Sequence, residues 1–248
     1  AVGFESMRYN TTGGDNTDLG ESALKANTTG SNNAALGMYA LLTNTTASNN
    51  VAVGRNALRL NTTGAANTSV GYGALYDNTT AGSNTAMGHE AMQNTTTGGF
   101  NTALGVDALY TNTTGTYNTA LGKSALSGNT TASYNTSVGK GSMQANTTGI
   151  SNVATGNEAL RFNTTGASNV ALGSHALYAN TTASYNVGVG LEALKDNTTG
   201  ANNTAVGTIA LENNTTGSSN VAVGRSALTA NTTGAENTAL GKGALQSN

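Results

Sequence analysis

The chain has 248 residues, with 33 Gly, 9% charged residues and no Cys, Pro or Trp. Ten Lys and Arg against 12 Asp and Glu leave a formal net charge of -2, which excludes a basic nucleic-acid platform and an acidic tail. The absence of Cys excludes a disulfide scaffold and any thiolate metal site. No apolar run approaches a membrane span, and no charged-then-apolar leader opens the chain. Leu, Ile, Val and Phe together number 39, a share low enough to suggest disorder, yet the high net charge of disordered chains is missing.

The order of the residues decides between coil and regular structure. Residues 1–9 are a partial repeat, and residues 10–247 are 14 unbroken repeats of 17. Asn-Thr-Thr opens these repeats at Asn10, Asn27, Asn44, Asn61, Asn78, Asn112, Asn129, Asn146, Asn163, Asn180, Asn197, Asn214 and Asn231. At the start of the sixth repeat Thr95 keeps the register and the Asn slides to Asn94. The consensus is N-T-T-G-x-x-N-[TV]-A-[LV]-G-x-x-A-L-x-x. Helical repeats need roughly 33–47 residues, so a shorter unit fits one coil of a β-solenoid. The expected fold is therefore all-β: a parallel β-solenoid of 14 coils with 17 residues each, in one domain over residues 1–248. At the inter-strand spacing, such a stack extends about 67 Å. The open repeat pattern predicts a segment of a longer fibrous protein, or one whose ends meet other subunits.

Within the coil, each position has its own chemistry. The fourth is Gly ten times and Ala four times (Ala47, Ala81, Ala132, Ala183), which asks for a small residue and not for a left-handed backbone. The seventh is always Asn: Asn16, Asn33, Asn50, Asn67, Asn84, Asn101, Asn118, Asn135, Asn152, Asn169, Asn186, Asn203, Asn220 and Asn237. Asn suits corners, and stacked Asn side chains can form an amide ladder. The eleventh is always Gly: Gly20, Gly37, Gly54, Gly71, Gly88, Gly105, Gly122, Gly139, Gly156, Gly173, Gly190, Gly207, Gly224 and Gly241, with Gly3 in phase. Invariance without Ala predicts a turn with positive φ.

Positions eight to ten, as in Val51-Ala52-Val53, read as a short strand, and Asn-Thr-Thr reads as a second. The fifteenth position is Leu or Met throughout, and the expected core is Leu24, Leu41, Leu58, Leu75, Leu109, Leu126, Leu160, Leu177, Leu194, Leu211, Leu228 and Leu245, with Met92 and Met143 in the same rank. The residue at the tenth position is expected to join it. Such a core is thin, and the Thr/Val rows offer a flat face whose burial in an oligomer supplies the missing area.

The segment Asn50-Val51-Ala52-Val53-Gly54-Arg55-Asn56-Ala57 resembles the head repeat of trimeric autotransporter adhesins, Asn-Ser-Val-Ala-Ile-Gly followed shortly by Ala. So do the stretches from Asn169 to Ala176 and from Asn220 to Ala227. The Asn-Thr-Thr-Gly form also resembles repeat shafts of phage tail-fibre-like surface proteins. The resemblance implies a left-handed β-roll, three chains side by side, and a place on a bacterial surface or virion.

Catalytic constellations are nearly absent, and neither an enzyme nor a cofactor is expected. His89 and His175 fall at different repeat phases and read as surface residues. The stretch from Gly115 to Ser124 mimics a phosphate loop but has six residues between its glycines where the motif needs four. Glu90, Asp107, Glu158 and Glu192 share the thirteenth position but lack the Gly-rich calcium pattern, so no metal is expected. Tyr76, Tyr110 and Tyr178 at the sixteenth position, and Tyr117, Tyr134 and Tyr185 at the sixth, map to the outer surface. Asn-Thr-Thr is also a glycosylation acceptor; glycans ~4.8 Å apart would collide, which favours a bacterial or phage origin where the motif is silent.

The expected function is that of a structural or adhesive extracellular fibre segment, an adhesin head or tail-fibre shaft. Its expected partners are copies of itself, as a trimer or an end-to-end filament, and a glycan or host-matrix ligand; nucleic acid and membrane spans are not expected. The alternatives are a self-assembling filament subunit and an ice-binding solenoid using Thr ranks.

Overall fold

A computed structural model describes residues 1–247. The chain forms two compact units, Ala1–Lys123 and Ser124–Asn248. The first carries β1 (Thr17–Leu19), β2 (Ala34–Leu36), β3 (Val51–Val53), β4 (Thr68–Val70), β5 (Thr85–Met87), β6 (Thr102–Leu104) and β7 (Thr119–Leu121). The second carries β8 (Thr136–Val138), β9 (Val153–Thr155), β10 (Val170–Leu172), β11 (Val187–Val189), β12 (Thr204–Val206), β13 (Val221–Val223) and β14 (Thr238–Leu240). In each unit every strand pairs in parallel with the next, residue i against residue i+17, as Thr17 pairs with Ala34 and Val170 with Val187. The described residues contain no helix. This is an all-β parallel solenoid with one strand per repeat.

The strands are three residues long because the coil is narrow. Their middle residue points inward: Ala35, Ala52, Ala86, Ala103, Ala171 and Ala222 have no exposed surface. Facing them are the Ala rank at the fourteenth position and the Leu or Met rank at the fifteenth. Where Ser replaces Ala at the ninth position, its hydroxyl reaches the fourteenth residue of the same coil, Ser69 donating to Ala74 O at 2.7 Å and Ser137 to Ser142 O at 2.8 Å. One hydroxyl thus spans the interior, which leaves no room for two large ranks.

Three sequence expectations therefore change. The tenth position does not join the core: Leu19, Leu36, Met87, Leu104, Leu172 and Leu240 are all exposed. Strand alternation puts the ninth residue inside and its neighbours outside. Asn-Thr-Thr is not a second strand; the chain bends there, although within each unit one coil still bonds to the next, as Thr28 N donates to Thr45 O at 2.8 Å. Leu245, in the last coil of the described residues, is 46% exposed where the other eleven Leu of its rank, each stacked between two described coils, are fully buried.

The remaining residues are turns. Gly at the eleventh position holds φ between +121° and +144° throughout, a region almost closed to other residues. The residues at the sixth and thirteenth positions also have positive φ, whatever their type, from Asn32 (58°) to Tyr134 (62°) and Glu158 (55°). The core Leu and Met share it, at 46–54°. Each non-glycine residue there carries about 1–2 kcal/mol of strain. Bonds to the neighbouring coil hold it in place: Leu41 N donates to Ala57 O at 3.1 Å, and Leu177 N to Ala193 O at 2.9 Å.

Candidate functional site

Two internal amide ladders hold the coils in register. Within each unit, where two successive coils carry Asn at the first position, Nδ2 donates to the Oδ1 of the Asn one coil back at 2.7–3.1 Å. The same nitrogen donates to the carbonyl three residues on, as Asn61 does to Gly64 O at 2.9 Å. Both amide hydrogens are thereby consumed. At the seventh position, within each unit, Oδ1 accepts from the backbone N–H of the next Asn, as Asn16 accepts from Asn33 at 2.9 Å. Its Nδ2 donates to the fourth-position carbonyl of the next coil, as Asn50 does to Gly64 O at 3.0 Å. From Asn27 to Asn231 and from Asn33 to Asn220 these residues are essentially fully buried. Ala47, Ala81, Ala132 and Ala183 sit beside them, buried and without positive φ.

The first ladder is interrupted once. Thr95 is buried and its Oγ1 finds no partner, and neither does Asn78 Oδ1, the acceptor it faces. Two orphaned polar atoms follow from a single residue. Thr95→Asn supplies the missing donor, and the expected result is a stabilisation of about 1–3 kcal/mol in denaturant unfolding; no gain would contradict this reading of the gap.

The Thr pair divides. The second-position Thr donates its hydroxyl to the carbonyl of its counterpart in the next coil, at 2.9–3.2 Å. From Thr28 to Thr215 the second-position Thr is half-buried and only the third-position Thr is exposed. Asn-Thr-Thr therefore offers one outward Thr rank, not the two that a flat ice-matching face needs.

In each unit the strand face points outward. It presents Thr or Val at the eighth position, except Ala34, and Leu, Val or Met at the tenth, except Thr155. Leu104 is 47% exposed and Leu172 38%. The sequence signal was available: the ninth position is held to Ala, Ser or Gly in all repeats but the first, where Asp18 stands. A rank so restricted in size marks the inside of the coil. Asp18 is itself buried, accepts from the Ser6 hydroxyl and lies 3.5 Å from the N-terminal amine.

Titratable groups gather on the corners. His89, Glu90 and Asp107 place their ligand atoms within 4.8 Å of one another, the one group among the described residues that could hold a metal. All three lie at the surface, an arrangement common without any ion. His89 stacks on Tyr72, with ring centroids 5.3 Å apart. His175 lies between Glu158 (3.6 Å) and Glu192 (4.0 Å), and those carboxylates also meet Arg161 and Lys195. Tyr110 is pushed up by burial, then by Glu90, Asp107 and Asp77. Tyr117, Tyr134 and Tyr185 are exposed; Tyr76 accepts from Arg59 at 2.8 Å, and Tyr178 packs edge-on to Phe162.

Burial raises the Asp77 carboxyl above its usual range. A raised acid favours folding in its protonated form, so its contribution is full below the unfolded pKa and is lost as pH rises through the folded one. Asp77→Asn is expected to raise the melting temperature at pH 7 and to leave it unchanged near pH 3. A stabilisation of equal size at both pH values would contradict this.

No protein-family model matches the sequence, and no curated protein does. Among the described residues, no helix is long and apolar enough to cross a membrane.

Proposed function

We propose that the chain is a segment of an extracellular structural or adhesive fibre, an adhesin head or tail-fibre shaft, in which three copies pack side by side through the outward faces of their strands. The observation that carries this reading is the outward rank of Leu, Val and Met at the tenth position, flanked by Thr and Val at the eighth. A contiguous apolar stripe is rare on a monomer and marks an interaction surface. The resemblance of Asn50–Ala57 to adhesin head repeats supports both the trimer and the left-handed roll. In this reading the ladders and turns supply rigidity. The variable corners, including the exposed Tyr117, Tyr134 and Tyr185, meet a glycan or matrix ligand outside a bacterial cell or on a virion.

Leu104→Lys and Leu172→Lys test it by sedimentation. Both residues point away from the core, so the circular dichroism spectrum is expected to stay unchanged. Association is expected to weaken at least about tenfold, because an unpaired ammonium resists burial. An unchanged native mass in both variants contradicts the proposed interface.

A further inference from the structure

The sequence holds eighteen Asn-x-Ser/Thr tripeptides, the acceptor pattern for N-linked glycan transfer. We infer that the fold closes nearly all of them and leaves Asn202 as the single acceptor that the folded chain presents complete. This rests on burial and hydrogen bonding alone and is independent of the fibre reading.

Transfer forms a bond from the Asn Nδ2 to the sugar C1. It breaks the C1–O bond to a lipid pyrophosphate, which leaves, and Nδ2 gives up one proton to a base of the transferase. The amide must therefore be reachable and must have a hydrogen to lose. Twelve of the tripeptides begin at a buried first-position Asn, from Asn27 to Asn231, with at most 3% exposure. Asn180 is typical: its Nδ2 donates to Asn163 Oδ1 at 2.9 Å and to Ala183 O at 3.0 Å. A sugar on that nitrogen removes one of these bonds and has to fit between coils stacked about 4.8 Å apart. Asn67 and Asn135 head two more tripeptides and are equally buried, their Nδ2 atoms on Ala81 O (2.8 Å) and Gly149 O (2.9 Å). Asn10 is half-buried and its amide is pinned at both ends in the ladder, Nδ2 donating to Gly13 O at 2.9 Å and Oδ1 accepting from Asn27 at 2.7 Å, so it cannot turn outward to an acceptor geometry.

Three tripeptides remain, and the hydroxyl two residues on separates them. Asn94 is half-buried and Asn213 exposed, but their partners Thr96 and Thr215 are second-position residues, donating to Thr113 O (3.1 Å) and Thr232 O (3.0 Å). Those hydroxyls are committed to the stack. Asn202 is exposed at the sixth-position corner, and Thr204 stands at the start of β12 on its outward side. Both the amide and the hydroxyl of Asn202-Asn203-Thr204 thus face outward.

The test incubates the folded full-length chain with a single-subunit oligosaccharyltransferase and a lipid-linked oligosaccharide, then maps glycans by mass spectrometry. A peptide of residues 158–174, containing Asn163, serves as the unfolded control and is expected to accept. The folded chain is expected to gain one glycan, at Asn202, with its unfolding transition intact, and Asn202→Gln is expected to abolish the gain. A glycan on any first-position Asn from Asn27 to Asn231 of the still-folded chain overturns the closure. No glycan at Asn202 while the peptide accepts, or equal transfer to Asn94 and Asn213, overturns its assignment as the single acceptor.

Discussion

Asn163→Ala is expected to destabilise the chain by about 3–5 kcal/mol. The side chain makes three bonds: Nδ2 donates to Asn146 Oδ1 at 2.7 Å and to Gly166 O at 2.9 Å, and Oδ1 accepts from Asn180 at 2.9 Å. Truncation leaves Asn146 Oδ1 and one Nδ2 hydrogen of Asn180 buried and unpaired, each at about 1–3 kcal/mol, and opens a cavity, while Gly166 O keeps the bond from Asn152 at 2.9 Å. Asn163→Asp keeps the shape but loses both donors, and is expected to be at least as damaging at pH 7. Thr165→Ala, two residues away and exposed, is the control and is expected to change stability by less than about 0.5 kcal/mol. Denaturant unfolding of the three variants measures the differences. Equal midpoints for Asn163→Ala and Thr165→Ala would show that the ladder contributes nothing. The interruption at Thr95 shows that the stack tolerates one gap, so a variant with one more is expected to fold, less stably.

Gly190→Ala is expected to be strongly destabilising. Gly190 has φ of +133°, and a Cβ there lies 2.6 Å from both the carbonyl carbon and oxygen of Gly207. The neighbour is backbone in the next coil, itself fixed by the bond from Gly207 N to Val189 O at 2.7 Å. Neither can yield without parting the coils. Strain and overlap together are expected to exceed about 3 kcal/mol. Gly73→Ala is the matched comparison. Its φ is +62°, a Cβ meets only the Glu90 side chain at 3.5 Å, and eleven other repeats carry a non-glycine residue at that position. Its expected effect is about 1 kcal/mol. Similar losses in thermal unfolding for the two variants would contradict the distinction between a close backbone approach and an ordinary left-handed turn.

The same residues explain what the sequence makes legible. A spacing of 17 without insertion, Gly at every eleventh position and Asn at every seventh are enough to call for a parallel solenoid, because only identical stacked coils need such uniformity. Leu at the tenth position misleads because a three-residue strand has the same alternation whichever face is inside. Size then favours Leu19 or Leu104 for the core, whereas the narrow coil holds only Ala, Ser or Gly opposite the Leu rank in every repeat after the first. The left-handed backbone of Leu24 or Leu177 has no signature at all, since Leu in a repeat reports burial and not φ. Asn56, Gly73 and Gly141 at the thirteenth position do hint at positive φ, but Glu, His and Ile elsewhere in that rank obscure it. The outward apolar face follows from these local facts, and it becomes visible only once the ninth residue is known to point inward.

The side-by-side assembly of this face is the central claim, and the native mass of the unmodified chain over a wide concentration range tests it most directly. Light scattering after size exclusion is expected to give one discrete species of three 24.6 kDa chains, with no growth on concentration. A mass of one chain at every concentration would contradict the account, because the Leu104 and Leu172 ranks would then face water unpartnered. Open-ended growth would instead assign the chain to a filament assembled through other surfaces.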